Sequence, residues 1–432
     1  MTGKKIIAVI TCFLFAVSLH AQQTDNAAQI LNASMRKVTD VIVHDVFTPP
    51  VAGRIYAYSG IAAYEVLQLS SGNYNSFAGK LNGLQSITEP TVEIDYTLAA
   101  SVAMLSTARG LLFSEQMMDD NILSIISAYY LETDTALINR SLKYGIAVSK
   151  EILSWASKDN YKETRSYPRY TLKETVDAWE PTPPDYADGI EPYWNKIRPF
   201  TLDSAAQFKP IPPTPFSTDK NSAFYNEAIE VYNISKSLSE EQILSVKFWD
   251  DNPFTTYYVG HLQYAHKKIT PGGHWIDITR EAITLSGCDP VKAAYAYAMV
   301  GIALHDGFIS CWDEKYRSSL IRPETYINRY IDQQWRPFLQ TPPFPEYTSG
   351  HSVISAAAAT VLTEIFGAPF PFTDSIETEY DLPQKSFDSF REASNDAAYS
   401  RMNGGIHYRP AIEIGVTQGI NVGTWVIQKI KG

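Results

Sequence analysis

Nine prolines fall between positions 181 and 215, at 181, 183, 184, 192, 199, 210, 212, 213 and 215, mixed with Trp194, Phe200 and Phe208. Proline fixes φ and lacks an amide donor, so this stretch is neither regular helix nor central strand. Regular structure must be built on its two sides. The stretch itself reads either as an ordered loop shaping a substrate entrance or as a connection packed by its own aromatics.

On the N-terminal side, apolar residues recur at helical spacing through Ile30, Leu31, Met35, Val38 and Ile42, and again over 55–69, 93–113, 121–131 and 135–157. Beyond the prolines the same period returns over 222–235, 239–249, 275–286 and 289–311, with Ser239-Glu240-Glu241-Gln242 as a capping pattern and Pro271-Gly272-Gly273-His274-Trp275 as a turn. Nothing alternates with period two for long, so the expected fold is all-α. The expected organisation is a leader at 1–21, a helical lobe at 22–180, a connecting loop at 181–216 and a second helical lobe at 217–432 that carries the chemistry.

The leader has Lys4 and Lys5, an apolar run over 6–19 and Ala21 before a polar stretch, the layout of a secretory signal. A periplasmic or secreted protein is expected, with no membrane span in the mature chain. A net charge of -11 excludes a general nucleic-acid binder, because phosphate neutralisation needs excess basic surface. Cys288 and Cys311 read as buried free thiols, with one disulfide as the alternative. His261 and His266, five apart and without a third ligand, do not read as a metal pair.

Against this acidic background three runs concentrate cations and imidazoles: Lys315 to Arg322-Pro323, Thr348-Ser349-Gly350-His351, and Ser400-Arg401 to His407. Lys315 and Arg322 are two helical turns apart, or flank a helix end followed by a bend, since Pro323 disfavours helix at Arg322. Ser349, Gly350 and His351 precede a strong helix former, so they sit near a helix N-terminus, where amides and the dipole favour an anion. Asn403-Gly404-Gly405 breaks a helix and lets Arg401 and His407 turn to one place. Together they suit a tetrahedral oxyanion held against a histidine.

In order and spacing these runs resemble the superfamily shared by vanadium-dependent haloperoxidases and the type 2 phosphatidic acid phosphatases, and most closely the bacterial vanadium iodoperoxidases. The resemblance implies paired four-helix bundles and a vanadate cofactor. It assigns the vanadate oxygens to Lys315, Arg322, Ser349, Gly350 and Arg401, and the metal to His407. His351 becomes the acid–base group, Lys315 polarises peroxide, and Trp312, Asp313 and Phe344 form the substrate pocket. The resemblance also implies a carboxylate paired with Arg401, Asp250 or Asp251, the sequence leaving open which, with Asp251 placed behind the vanadate contacts. The implied reaction is halide oxidation by hydrogen peroxide, iodide first, delivering hypohalous acid to small-molecule acceptors.

The alternative is an exported acid phosphatase working through a phosphohistidine, since vanadate adopts the geometry of a phosphoryl transition state. Two departures from the family pattern bear on the choice. Thr348 stands where proline is usual, and Ala411 stands where a carboxylate often orients the last histidine, with Glu413 or a backbone carbonyl as possible substitutes.

Overall fold

The computed structural model describes residues 27–129, 134–253, 255–259, 261–265 and 267–432. The leader and His266 lie outside them. Among the described residues six α-helices precede the proline stretch: α1 (27–44), α2 (Pro49–Leu67), α3 (Tyr96–Arg109), α4 (Glu115–Tyr129), α5 (Thr135–Ala156) and the short α6 (Tyr161–Thr164). After it come α7 (Ala223–Ser235), α8 (Glu240–Phe248), α9 (Pro271–Ser286), α10 (Pro290–Ser318), α11 (Pro323–Tyr330), α12 (Gly350–Phe366), α13 (Phe390–Asn403) and α14 (Arg409–Lys431). Two small antiparallel ribbons complete the described residues, β1 (Thr256–Val259) with β2 (Leu262–Ala265), and β3 (Phe372–Asp374) with β4 (Lys385–Phe387). The fold is thus all-α and made of helical bundles. No helix among the described residues is long and apolar enough to cross a membrane.

The centre is α10, which packs against α2, α9, α12 and α14. Every residue of α2 is buried, as expected of a helix apolar on all sides. It meets α10 backbone to backbone. A Cβ on Gly60 would lie 3.0 Å from Ala298 N, and one on Gly301 would lie 2.7 Å from Ala57 Cα. These helices belong to opposite sides of the proline stretch, and one apolar core runs from Ala28 to Ile430.

The capping box read at Ser239 is present, with Gln242 N donating to Ser239 Oγ at 3.2 Å and Ser239 N to Gln242 Oε1 at 2.9 Å. At Pro271 the structure differs from the sequence reading. The expected turn is the first turn of α9, where Pro271 needs no donor and Thr270 Oγ1 accepts from Gly273 N at 3.1 Å.

The proline stretch is a packed connection. Asp306, buried in α10, accepts the amides of Phe200 at 2.7 Å, Thr201 at 2.8 Å and Leu202 at 3.3 Å, replacing the partners that a helix or sheet would supply. Trp194 and Phe200 are fully buried. Ile190 O accepts from Trp312 Nε1 at 3.1 Å and Tyr316 Oη at 2.6 Å, so the connection also orients side chains near the three runs.

Candidate active site

All three runs converge. Trp312 comes from late α10, Phe344 from the loop before α12, Gly350 and His351 from the first turn of α12, Arg401 from the end of α13, and His407 from the turn before α14; all six line one cavity. Lys315 and Arg322 are fully buried just behind its wall. They do not share a continuous helix. Helix α10 ends at Ser318, Ser319 turns into the left-handed region with φ 53°, and Arg322 is the N-cap of α11.

His407 is bonded at both ring nitrogens. Nδ1 lies 2.8 Å from Glu346 Oε1, and Nε2 lies 3.2 Å from Arg322 Nη1. With Nδ1–H donating to the carboxylate, the Nε2 lone pair faces the cation-lined wall, which is the tautomer a metal ligand requires. Glu346 also accepts from Tyr408 N at 3.0 Å, while its Oε2 is buried without a partner. Burial, followed by the fields of Arg322 and Lys315, keeps the His407 imidazole well below the usual range. Burial pushes the Glu346 carboxyl up to about 7, against the pull of Arg322 and Lys315.

Glu346 is the residue that sequence reasoning missed as a partner. The carboxylate absent at Ala411 is supplied from the other side of the ring, and the proposed substitute Glu413 instead bonds Arg409 near the surface. Ala411 contributes its carbonyl, which accepts from Ser349 N at 3.0 Å. A carboxylate therefore orients this histidine although position 411 is alanine, so Ala411 does not separate the two chemistries. Lys315 Nζ donates to the carbonyls of Pro345 at 3.0 Å and Glu346 at 3.1 Å, drawing that segment into the site through a tertiary contact that the sequence does not announce.

The cations are held ready rather than neutralised. Arg322 donates from Nε to Phe344 O at 2.9 Å and from Nη1 to Ile406 O at 2.8 Å, and Arg401 Nε donates to Ser400 Oγ at 3.0 Å. Burial lowers Lys315 to about 7 and Arg322 to about 10. Charges so desolvated favour an anion that neutralises them. Ser349 caps α12, its Oγ accepting from Ser352 N at 3.3 Å, which leaves the hydroxyl proton free to be donated; the first amides of α12 have no intrahelical acceptor. These donors fit an oxyanion such as vanadate.

His351 is held differently. Its ring bonds the backbone of Trp249, and Nε2 is buried without a hydrogen-bond partner, 4.0 Å from Asp251 Oδ2. Burial, then the charges of Arg401 and His274, depress it well below the usual range, so the ring is neutral and able to take a proton.

Two expectations are corrected. Asp251 does not bond Arg401: its oxygens lie 3.0 and 3.1 Å from Nδ1 of His274, a fully buried residue that sequence reasoning passed over inside the supposed turn. Burial lowers Arg401, and the fields of Asp250 and Asp251 oppose this without an ion pair to either among the described contacts. Asp313 does not line the cavity either. One helical step beyond Trp312, it turns away to Asn195 Nδ2 at 2.9 Å and to Arg317.

Trp312 and Phe344 do form an apolar wall, with ring centroids 5.0 Å apart. The indole N–H points to Ile190, so carbon faces the cavity, and the cations of Lys315 and Arg322 each lie 5.0 Å from the Phe344 centroid. At the departure from proline, Thr348 Oγ1 donates to Gln418 Oε1 at 2.7 Å, and Gln418 Nε2 donates to Ser310 Oγ at 2.9 Å, tethering the loop to α14 and α10. Cys288 and Cys311 are free, and His261 is exposed.

Residues 295–432 match a family described as the VCPO second helical-bundle domain. Among solved structures, a bacterial vanadium-dependent iodoperoxidase is similar at 50% identity with a TM-score of 0.88, covering 93% of this chain and 96% of that one. Holo and apo forms of a bacterial vanadium-dependent chloroperoxidase are similar at 14% identity with TM-scores of 0.64, the holo form covering 90% of this chain and 94% of its own. No curated protein matches.

Proposed function

Because the chain belongs to the vanadium-dependent haloperoxidase family and is a vanadate-dependent enzyme of that kind, we propose that iodide is the halide it oxidises first, at the cavity between His407 and His351. The observation that carries this reading is the pairing of an imidazole oriented through Nδ1 by Glu346 with a second, neutral imidazole that lines the same cavity and whose Nε2 has no hydrogen-bond partner.

In this reading Lys315, Arg322 and Arg401 would offset the charge of vanadate, Ser349 and the Gly350 amide would donate to its oxygens, and His407 Nε2, released by Arg322 Nη1, would hold the metal. When bound, vanadate would supply the Lewis acidity that makes a peroxide oxygen electrophilic toward halide. His351 Nε2 accepts the peroxide proton, for which its neutral state is suited. Lys315 places positive charge beside the reacting oxygens, and its deep burial strengthens that effect. Trp312 and Phe344 limit water and offer a polarisable surface to a large, weakly hydrated halide; the hypohalous acid then passes to small-molecule acceptors.

The test is iodide oxidation by hydrogen peroxide with purified protein, with and without orthovanadate. Vanadate-dependent turnover with iodide at least about tenfold faster than with bromide is expected, a difference of ~1.4 kcal/mol in barrier. Absence of halide oxidation together with vanadate-inhibited hydrolysis of a phosphate ester would establish the phosphatase instead. The signal-like layout of residues 1–21 further supports export to the periplasm or beyond. Recovery of a chain starting near Gln22 from the periplasm or medium checks that.

A further inference from the structure

Behind the wall that Asp251 forms lies a second polar group, to which the halide reaction gives no role. Asp251, His274 and Glu377 present ligand atoms all within 4.8 Å of one another, and all three residues are buried. They come from distant parts of the chain: the segment after α8, the first turn of α9, and the short helical turn Ile376–Tyr380 that follows β3. Glu377 is 1% exposed, and neither of its carboxylate oxygens has a hydrogen-bond partner. A buried carboxylate without a donor is costly and calls for a counter-charge.

His274 alone does not supply it. Its Nδ1 faces Asp251, and its Nε2 lies 2.8 Å from Asp374 Oδ2. Three carboxylates, Asp251, Asp374 and Glu377, thus surround one imidazole. Lys268 also acts on Glu377, but its ammonium is engaged by Asp250 at 3.6 Å.

We propose that Asp251, His274 and Glu377 form a site for one divalent transition-metal cation, with Asp374 fixing the imidazole from behind. One imidazole and two carboxylates are a donor set that zinc, manganese or ferrous iron accepts, whereas calcium and magnesium prefer oxygen alone. The separations of 3.0 and 3.1 Å between His274 Nδ1 and the Asp251 oxygens suit two ligands that each lie about 2.1 Å from a shared cation. Asp374 on the opposite ring nitrogen is the carboxylate–histidine–metal arrangement that sets tautomer and ring angle. Binding places the cation at Nδ1 of His274 and on the Glu377 carboxylate, so the protons held by that nitrogen and that carboxyl leave to solvent, while Nε2–H continues to donate to Asp374. Glu377 gains the partner it lacks. The cation staples three distant segments at the back of the vanadate cavity and is separate from vanadate.

The test uses full-length protein freed of metal by a chelator and titrated calorimetrically with zinc chloride alone, with a parallel elemental count of zinc, manganese and iron in untreated protein. One cation per chain is expected, with binding weakened more than about 100-fold in Glu377→Gln and about 10–100-fold in Asp374→Asn. Circular dichroism and vanadate binding establish that each variant is folded, and should Glu377→Gln not fold, Asp374→Asn decides. No bound cation, or zinc binding equal in a folded variant and the parent, would overturn the proposal and leave the group as a buried proton store.

Discussion

His407 and His351 line one cavity, yet His407 is bonded at both ring nitrogens, by Glu346 and Arg322, while His351 keeps a buried Nε2 without a partner. Both imidazoles are neutral, for the same first reason of burial. The difference lies in freedom. A ring anchored at Nδ1 by a carboxylate has a set tautomer and direction, as a metal ligand needs once Arg322 yields its Nε2, whereas an unpartnered nitrogen can gain and lose a proton during turnover. Binding and proton transfer are therefore divided between two residues of one type.

The sharpest way to break that division is to remove each ring in turn. His407→Ala should weaken vanadate binding more than about 100-fold and abolish measurable iodide oxidation, since even a ligand's outer partner is worth 10–100-fold. His351→Ala should lower turnover by about 10²–10⁴-fold, the usual worth of a general base, while vanadate affinity stays within about threefold. Equal loss of vanadate binding in both variants would erase the distinction.

Glu346→Gln asks whether orientation of His407 matters by itself. It retains an acceptor for Nδ1 but not the charge, and vanadate affinity should fall about 10–100-fold by equilibrium titration. Glu413→Gln, at the exposed position first considered for that role, should change affinity and activity less than twofold and stability within about 0.5 kcal/mol. The reverse order would mean that the Glu346 contact is incidental.

The cage also has a pH signature in vanadate-free protein. Glu346 is raised to about 7, so from the ordinary carboxylate range up to 7 the folded state binds more protons than the unfolded, and its contribution falls with pH. Lys315 is lowered to about 7, so above 7 the unfolded state binds more protons and the contribution rises again. Relative to Lys315→Met, the parent should gain thermal stability as pH increases from 7 toward 10. Parallel curves for the two proteins would contradict the lowering of Lys315 by burial.

How much of this could be read beforehand followed the range of the interaction. Helices announced themselves through local period and caps, as at Ser239, and the cage residues through motif order. Glu346 was hidden because its role depends on the chain bringing residue 346 against 407, a contact with no local trace. Asp313 misled because adjacency to Trp312 says nothing of direction, and the hydrogen bonds to Asn195 and Arg317 turned it away. His274 was masked by Pro-Gly-Gly, which reads as a turn; Thr270 caps it into a helix, and the close approach of Tyr56 favours glycine there, with its Oη 2.8 Å from where a Gly273 Cβ would sit.

The division between the two histidines meets its most direct test in a crystal structure of the protein soaked with orthovanadate. The expected result is vanadium bonded to His407 Nε2, its oxygens within hydrogen-bond distance of Lys315, Arg322 and Arg401, and His351 Nε2 close but not bonded to the metal. Vanadium bonded to His351, or found outside this cavity, would contradict it.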